Sequence, residues 1–434
     1  MRVCVYGLWH LGSVTAACLA RGGHQVVGID PDPATIAGLA AGRPPLFEPG
    51  LEDLIRNGIE AGRLHFAQDE PQAFAEAEVL WVTFDTAVDD NDVPNVAAVT
   101  EPVLATLASL PQRCLVLVSS QVPDGTTRRL AEAARSAGRK LTFGYSPENL
   151  RLGKAIDVFT HPDRVVVGLQ TDEDRGKVAE LLAPFTTNIL WVGLEAAEMI
   201  KHAVNAFLAT SVTFMNEIAA ISEKVGANAK EVEQGLKTES RIGPKAYLSP
   251  GSAFAGGTLA RDVTTLVDLA RQNAVPSALI PAILESNSRH GQWAFRKLKE
   301  RFGSLAGRRI AVLGLTYKPG TSTLRRSNAV ELALLMSGEG AQVVAFDPAL
   351  AELPPELAPR IELAGSAEEA VKNADAVVLA TAWPDFRTLD WPKLLSSMRA
   401  PTVIDANWFL ADVMRGRGDV AYAAVGLPWR NEIA

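Results

Sequence analysis

A chain of 434 residues, 47% hydrophobic and 21% charged, has the composition of a globular protein of about two or three domains. Its net charge of −8 gives no basic footprint for nucleic acid and argues against an anionic membrane surface. Three cysteines (Cys4, Cys18, Cys114) form neither a disulfide framework nor a metal-ligand spacing, and MRVCVYG enters a strand with no leader pattern, so a cytoplasmic protein without a metal is expected.

In chain order, residues 2 to 30 read strand, tight turn, helix, strand, the opening βαβ unit of a dinucleotide-binding fold. Gly7 and Gly12 match the first and third glycines of G-x-G-x-x-G, whereas Trp9 stands at the second; His10 and Leu11 complete the turn. Asp30 ends the next strand at the spacing where a carboxylate accepts from a ribose 2′-hydroxyl. With Asp32 following and no arginine nearby, NAD is favoured over NADP as cofactor. A Pro-rich insertion, GRPPLFEPGLEDLI, turns at Glu48-Pro49-Gly50. The runs VLWVTF and CLVLVSS continue the sheet and carry Thr83 and Ser120 at its carboxyl edge, where open α/β sheets bind ligands. The run AVDDND that follows the first of them reads as a solvated acidic loop rather than a metal site.

From Leu194 a helical pattern runs without Pro or Gly to Gly226, a rod of roughly 45 Å. Its Glu and Lys content argues against a membrane span, and Lys201 and Asn205, four apart, share one face. A Gly/Ala/Ser-rich loop then ends in Arg261 and Asp262. PSALIPAILESNSRHGQWAFRKLKERFG reads as a helical stretch, and RRIAVLGLTYKPGT opens a second strand–turn–helix unit. The strands ending at Asp347, DAVVLATAWPDF and PTVIDAN repeat the pattern without its glycine fingerprint, which suits a nucleotide-like binding half better than a second NAD site. The tail from Ala411 carries little signal. The predicted fold class is α/β: two Rossmann-like doubly wound domains joined by a long central helix.

The stretches GLWHLG…GID, PPLFEPGLEDLI, SSQVPDGT, SPENLRLGKAID, EMIKHAVNAFLATSVTFMNEIA, RIGPKAYLSPGSAFAGGTLARD and IAVLGLTYKPGTSTLRRS occur in one order along the chain. In that order they resemble the UDP-glucose/GDP-mannose dehydrogenase family over nearly the whole length. The resemblance implies an NAD-binding domain (1–193), a central helical dimerisation region carrying the active-site loop (194–300) and a nucleotide-sugar domain (301–434). It implies oxidation of a sugar C6 alcohol by hydride transfer to NAD, performed twice in the family to give a uronic acid. Lys201, Asn205 and Asp262 match the residues that hold and polarise the C6 oxygen and position a water. Glu148 matches the first glutamate after Ser-Pro. Leu150, Tyr247 and Gly256 fall in stretches that contact the nucleotide sugar. Arg241 matches an arginine reaching the partner's site in a homodimer, and Lys318 and Arg325 suit the diphosphate end, where fixed cations favour phosphate.

Several positions depart from the family. Thr258 stands where the family has the cysteine of its second oxidation, and Arg261 where it has lysine. A threonine hydroxyl is a far poorer nucleophile than a thiolate unless a dedicated base activates it. Leu152 replaces a glutamate used in thioester hydrolysis, Ser322-Thr323 an acidic pair, and Asn407 an arginine. Three readings follow: a two-electron oxidation, a four-electron oxidation through the aldehyde hydrate, or an inactive homologue that binds NAD and nucleotide sugar in a regulatory role. Retention of Lys201, Asn205 and Asp262 favours an active dehydrogenase. The β-hydroxyacid dehydrogenases also pair a Rossmann domain with helices, but they lack a second Rossmann-like half such as Arg308 to Asp405.

Overall fold

The computed structural model describes residues 1–86, 94–148, 150–255 and 257–429. The acidic run AVDDND, Asn149 and Gly256 fall outside the described residues. The chain forms two compact units, Met1–Ala203 and Val204–Ala434.

The first unit is built on eight strands: β1 (Arg2–Tyr6), β2 (Gln25–Ile29), β3 (Leu64–Ala67), β4 (Val79–Val82), β5 (Leu115–Val118), β6 (Thr142–Tyr145), β7 (Val165–Leu169) and β8 (Ile189–Val192). They lie in the order β3-β2-β1-β4-β5-β6-β7-β8, with β6 and β7 antiparallel and the other neighbours parallel. Both faces are covered, which is why β4 and β5 read as unbroken apolar runs and not as alternating ones. Val3 and Val5 pack into one core, and Cys4 and Tyr6 into the core on the opposite face. The strand order reverses between β1 and β4, so a crevice opens beyond their carboxyl ends. Helix α1 (His10–Arg21) leaves β1 there, and α2 (Thr126–Ser136) follows β5.

Helix α3 (Leu194–Val225) runs 32 residues without a break, from the first unit into the second. By length and composition it could cross a membrane. It also buries Glu198, Lys201, His202, Asn205 and Asn216, polar groups that need protein partners.

The second unit holds α4 (Thr258–Gln272), α5 (Leu279–Gly291), α6 (Trp293–Phe302) and α7 (Asn328–Gly338). Its strands are β9 (Arg309–Leu313), β10 (Gln342–Phe346), β11 (Glu362–Leu363), β12 (Ala376–Leu379), β13 (Thr402–Asp405) and β14 (Ala421–Ala423). They form an all-parallel sheet in the order β11-β10-β9-β12-β13-β14. Ile310 and Val312 face one core, Ala311 and Leu313 the other. Two local expectations are revised. The helical stretch after Pro276 divides into α5 and α6 at Gln292. The tail from Ala411 supplies the sixth strand, whose sequence Ala-Tyr-Ala is too short and too small-sided to announce itself.

Candidate active site

The crevice of the first sheet begins at Gly7, which closes β1 with φ of +95°. A Cβ on Gly12 would fall 1.9 Å from the Gly7 carbonyl oxygen, so helix and turn touch backbone to backbone. Thr83, buried at the end of β4, donates its hydroxyl to that same carbonyl at 2.8 Å. Asp30 accepts from the Leu8 N–H at 2.7 Å and the Asp32 N–H at 2.9 Å, holding the turn against the end of β2. Trp9, half-exposed, is the N-cap of α1, contributes no side-chain cap, and is followed by no acidic residue in the first turn. The N-terminus of α1 is therefore left for an anion such as a pyrophosphate. At the end of β5, Ser120 is buried and its hydroxyl has no protein hydrogen-bond partner. A tight glycine turn, an uncapped helix start, a strand-end aspartate and an orphaned hydroxyl together fit a dinucleotide.

Glu48 organises the loops around this crevice, a role that composition and spacing did not reveal. Its carboxylate is buried and accepts from His10 Nε2 (2.9 Å), the Gly153 N–H (2.8 Å) and the Ala155 N–H (2.8 Å). Burial by itself would raise its pKa, but the bonds from Gly153, His10 and Ala155 outweigh that and hold the carboxyl below the ordinary glutamate range.

The start of α3 sets Glu198, Lys201 and His202 against polar groups of the first unit. Lys201 donates to the Glu148 carbonyl at 2.6 Å, and its Nζ lies 3.9 Å from the Glu148 carboxylate. That carboxylate in turn accepts from the Leu150 N–H at 2.7 Å. Glu198, wholly buried, caps α2 by accepting from the Gly125 and Thr127 N–H groups and the Thr127 hydroxyl. Burial pushes its pKa up. His202 faces Asp124 at 4.0 Å, and burial raises the aspartate's pKa as well. The only sequence signal for Glu198, Asp124 and His202 is their adjacency to Lys201 and to the QVPDGT loop.

One helical turn beyond Lys201, Asn205 donates its amide to the carboxylate of Asp262, which is wholly buried on α4. Helical spacing alone places Lys201 and Asn205 on one face; the long-range bond to Asp262 is what the fold adds. Thr258 is the first residue of α4 and is exposed. Arg241 is 87% exposed and pairs with Glu239, and Tyr247 is likewise exposed. Lys318 lies over the Tyr317 ring, 5.4 Å from its centroid, and Arg325 is exposed in the same turn. Arg261 stands one residue before Asp262. Asn407 accepts from the Ser252 N–H at 2.8 Å and so holds the loop before α4.

The second sheet repeats the first one's turn with a different outcome. Gly314 closes β9 at φ +87°, and Asp347 ends β10 as Asp30 ends β2. One oxygen of Asp347 already accepts from the Leu315 and Thr316 N–H groups, the Thr316 hydroxyl and the Trp383 indole, and the other from the Ala349 N–H. A carboxylate so fully engaged has little left for a ribose, in keeping with the missing glycine fingerprint.

The cysteines take no part in this geometry. Cys4, Cys18 and Cys114 are buried in the first unit, and burial pushes each thiol up to about 12.

Comparison with known proteins matches the UDP-glucose/GDP-mannose dehydrogenase family along nearly the entire chain. Its NAD binding domain matches residues 1–186, its central domain 195–289 and its UDP binding domain 311–412. A UDP-glucose 6-dehydrogenase of Pseudomonas aeruginosa is 35% identical, over 99% of this chain and 98% of its own. The UDP-glucose 6-dehydrogenase AglM of Haloferax volcanii is 34% identical over 94% of this chain and 96% of its own. The solved structure of a UDP-glucose dehydrogenase from Pyrobaculum islandicum superposes with a TM-score of 0.86 at 29% identity, covering 98% of each chain. With the Gly7–Gly12–Asp30 turn, the orphaned Ser120 hydroxyl and the Asn205–Asp262 pair in place, the chain belongs to the UDP-glucose/GDP-mannose dehydrogenase family of NAD-dependent oxidoreductases acting on a CH–OH group of a nucleotide sugar.

Proposed function

We propose that this protein oxidises the C6 alcohol of a UDP-hexose, with UDP-glucose the leading substrate, and does so without covalent capture of the product. The UDP binding domain match and the UDP-glucose 6-dehydrogenases among its relatives support the substrate class. The observation that carries the rest is the Asn205–Asp262 hydrogen bond beside a helix that starts with Thr258 instead of a thiol.

Bound NAD supplies the acceptor for the hydride that leaves C6. Lys201 offers an ammonium to stabilise negative charge developing on the C6 oxygen. Asn205 fixes the Asp262 carboxylate, which orients a water able to take the departing hydroxyl proton. A family member that traps the resulting aldehyde as a thiohemiacetal needs a thiolate near the sugar. Here the only thiols are Cys4, Cys18 and Cys114, each buried and held at about 12. The second oxidation is therefore absent or runs through the aldehyde hydrate without a thioester. NADH formed per UDP-glucose consumed decides the stoichiometry: one for an aldehyde product, two for the acid. No NADH with UDP-glucose bound would sink the reading and leave a binding homologue.

The protein is also proposed to act as a homodimer. On α3, Phe207, Phe214 and Ile221 recur at intervals of seven and are exposed, with Val204 and Val225 extending the stripe. Such a repeat is a coiled-coil-like seam that a second copy would cover. Arg241, extended from the surface, would then serve the partner's substrate.

A further inference from the structure

The loop Gly251–Phe254 precedes α4, and among the described residues it makes no main-chain to main-chain hydrogen bond. Its backbone groups go instead to five side chains of the second unit. The Gly251 N–H donates to Asn216 on α3 at 3.0 Å, and its carbonyl meets Nε2 of buried His290 on α5 at 2.7 Å. The Ser252 N–H donates to Asn407 after β13 at 2.8 Å. The Ala253 carbonyl accepts from Asn328 at the start of α7 at 3.2 Å. Asn287 on α5 bonds Phe254 twice, accepting from its N–H at 2.9 Å and donating to its carbonyl at 3.0 Å.

An asparagine amide carries one donor group and one acceptor, so Asn287 pairs with Phe254 as a neighbouring strand would. A cavity of about 50 Å³ is lined in part by Ser252, Ala253, His290 and Asn328, while the Phe254 ring packs against the cluster of Ala206, Ala209, Val263 and Ile283, so the hydrogen bonds act beside that packing to fix the loop backbone. A Cβ at Gly251 would sit 2.7 Å from Asn407 Oδ1, so a larger residue there would push the Asn407 amide off the Ser252 N–H.

We infer that Asn287 is a positioning residue, the central member of an asparagine–histidine clamp that fixes the substrate loop before the nucleotide sugar arrives. The inference rests on the reading above, in which the segment from Arg241 to Asp262 contacts the nucleotide sugar. A loop without a ladder of its own samples many conformations once unclamped. Apparent affinity then falls by the fraction of time the loop spends in place, while saturating substrate restores it. The clamp therefore acts on substrate binding and not on the chemical step.

Asn287→Asp tests this directly, because a carboxylate keeps the acceptor for the Phe254 N–H but cannot donate to its carbonyl. Asn407→Ala is the milder companion: its site is exposed and water can satisfy the Ser252 N–H. UDP-glucose affinity is measured by calorimetry, steady-state constants by NADH formation, and loop opening by hydrogen exchange at Phe254. The expected result for Asn287→Asp is about tenfold weaker UDP-glucose binding and a matching rise in KM, with kcat within about twofold and NAD affinity unchanged. Exchange at Phe254 should quicken in the free protein and return to the wild-type rate when UDP-glucose is saturating. Asn407→Ala should show about a threefold loss in the same direction. Unchanged UDP-glucose affinity in both folded variants overturns the inference, as does a fall in kcat with KM unmoved. Wild-type protein that binds UDP-glucose but turns none over overturns the proposed activity and leaves the clamp judged by affinity alone. Wild-type protein that does not bind it overturns both.

Discussion

Glu48→Gln probes the carboxylate on which three segments of the first unit converge. In the native protein one oxygen accepts from His10 Nε2 and the Gly153 N–H, and the other from the Ala155 N–H. Glutamine keeps one acceptor and turns the other into a donor, so an N–H group must face either Ala155 or the His10–Gly153 pair. At least one charge-assisted bond is lost, about 1.5–3 kcal/mol, and a buried backbone donor is left unmet, about 1–3 kcal/mol more. Relaxation recovers part of this, and we expect a net local cost of about 3 kcal/mol. In hydrogen exchange that corresponds to roughly a hundredfold faster opening at Gly153 and Ala155. The pH dependence has a definite sign. The folded pKa of Glu48 lies below its unfolded value, so its stabilisation is present above the unfolded pKa of about 4.3 and is lost as pH falls through the folded pKa. The difference between wild type and variant should thus be full at pH 7 and close on acidification. A cost under about 0.5 kcal/mol at pH 7, or a gap that widens in acid, would refute the account of this carboxylate.

Lys201→Ala should slow hydride transfer by about a hundredfold or more in single-turnover measurements while NAD affinity by titration stays within about twofold. A collapse of NAD binding would show that Lys201 serves the cofactor instead. Thr258→Cys alone should not give rapid four-electron turnover, because Leu152 offers no carboxylate to activate a water for acyl-enzyme hydrolysis; fast uronate formation by that single variant would contradict this. Phe207→Glu should shift the sedimentation of the protein from dimer to monomer at micromolar concentration, and an unchanged dimer would move the interface off α3. Lys297→Met should destabilise the second unit by about 3–5 kcal/mol in denaturant titration. The buried Glu223 carboxylate, 2.6 Å from Lys297 and otherwise bonded to Trp293 and the Gly426 N–H, would lose its counter-charge.

What local sequence could carry, it carried. Apolar runs such as VLWV and LVLV announce strands buried on both faces, and the Pro- and Gly-free stretch from Leu194 announces one long helix, because hydrophobic burial and helix continuity depend on residues close in the chain. The turn of Gly7 and Gly12 with Asp30 behind it was equally readable, since a short βαβ unit brings them together whatever the rest of the chain does. The family resemblance singled out Lys201, Asn205, Asp262 and Thr258 as site residues, and the roles proposed for them rest on that resemblance. Tertiary structure alone decided the polar contacts made over long distances in sequence: Glu48 with Gly153 and Ala155, Asn407 with Ser252, Asn287 with Phe254. It also decided that Asp347 is consumed by its own turn while the Ser120 hydroxyl is left without a partner. Hydrogen bonds of this kind require a donor and an acceptor to meet within about 3 Å and in line, a condition set by the folded packing of whole elements and written in no short stretch of residues.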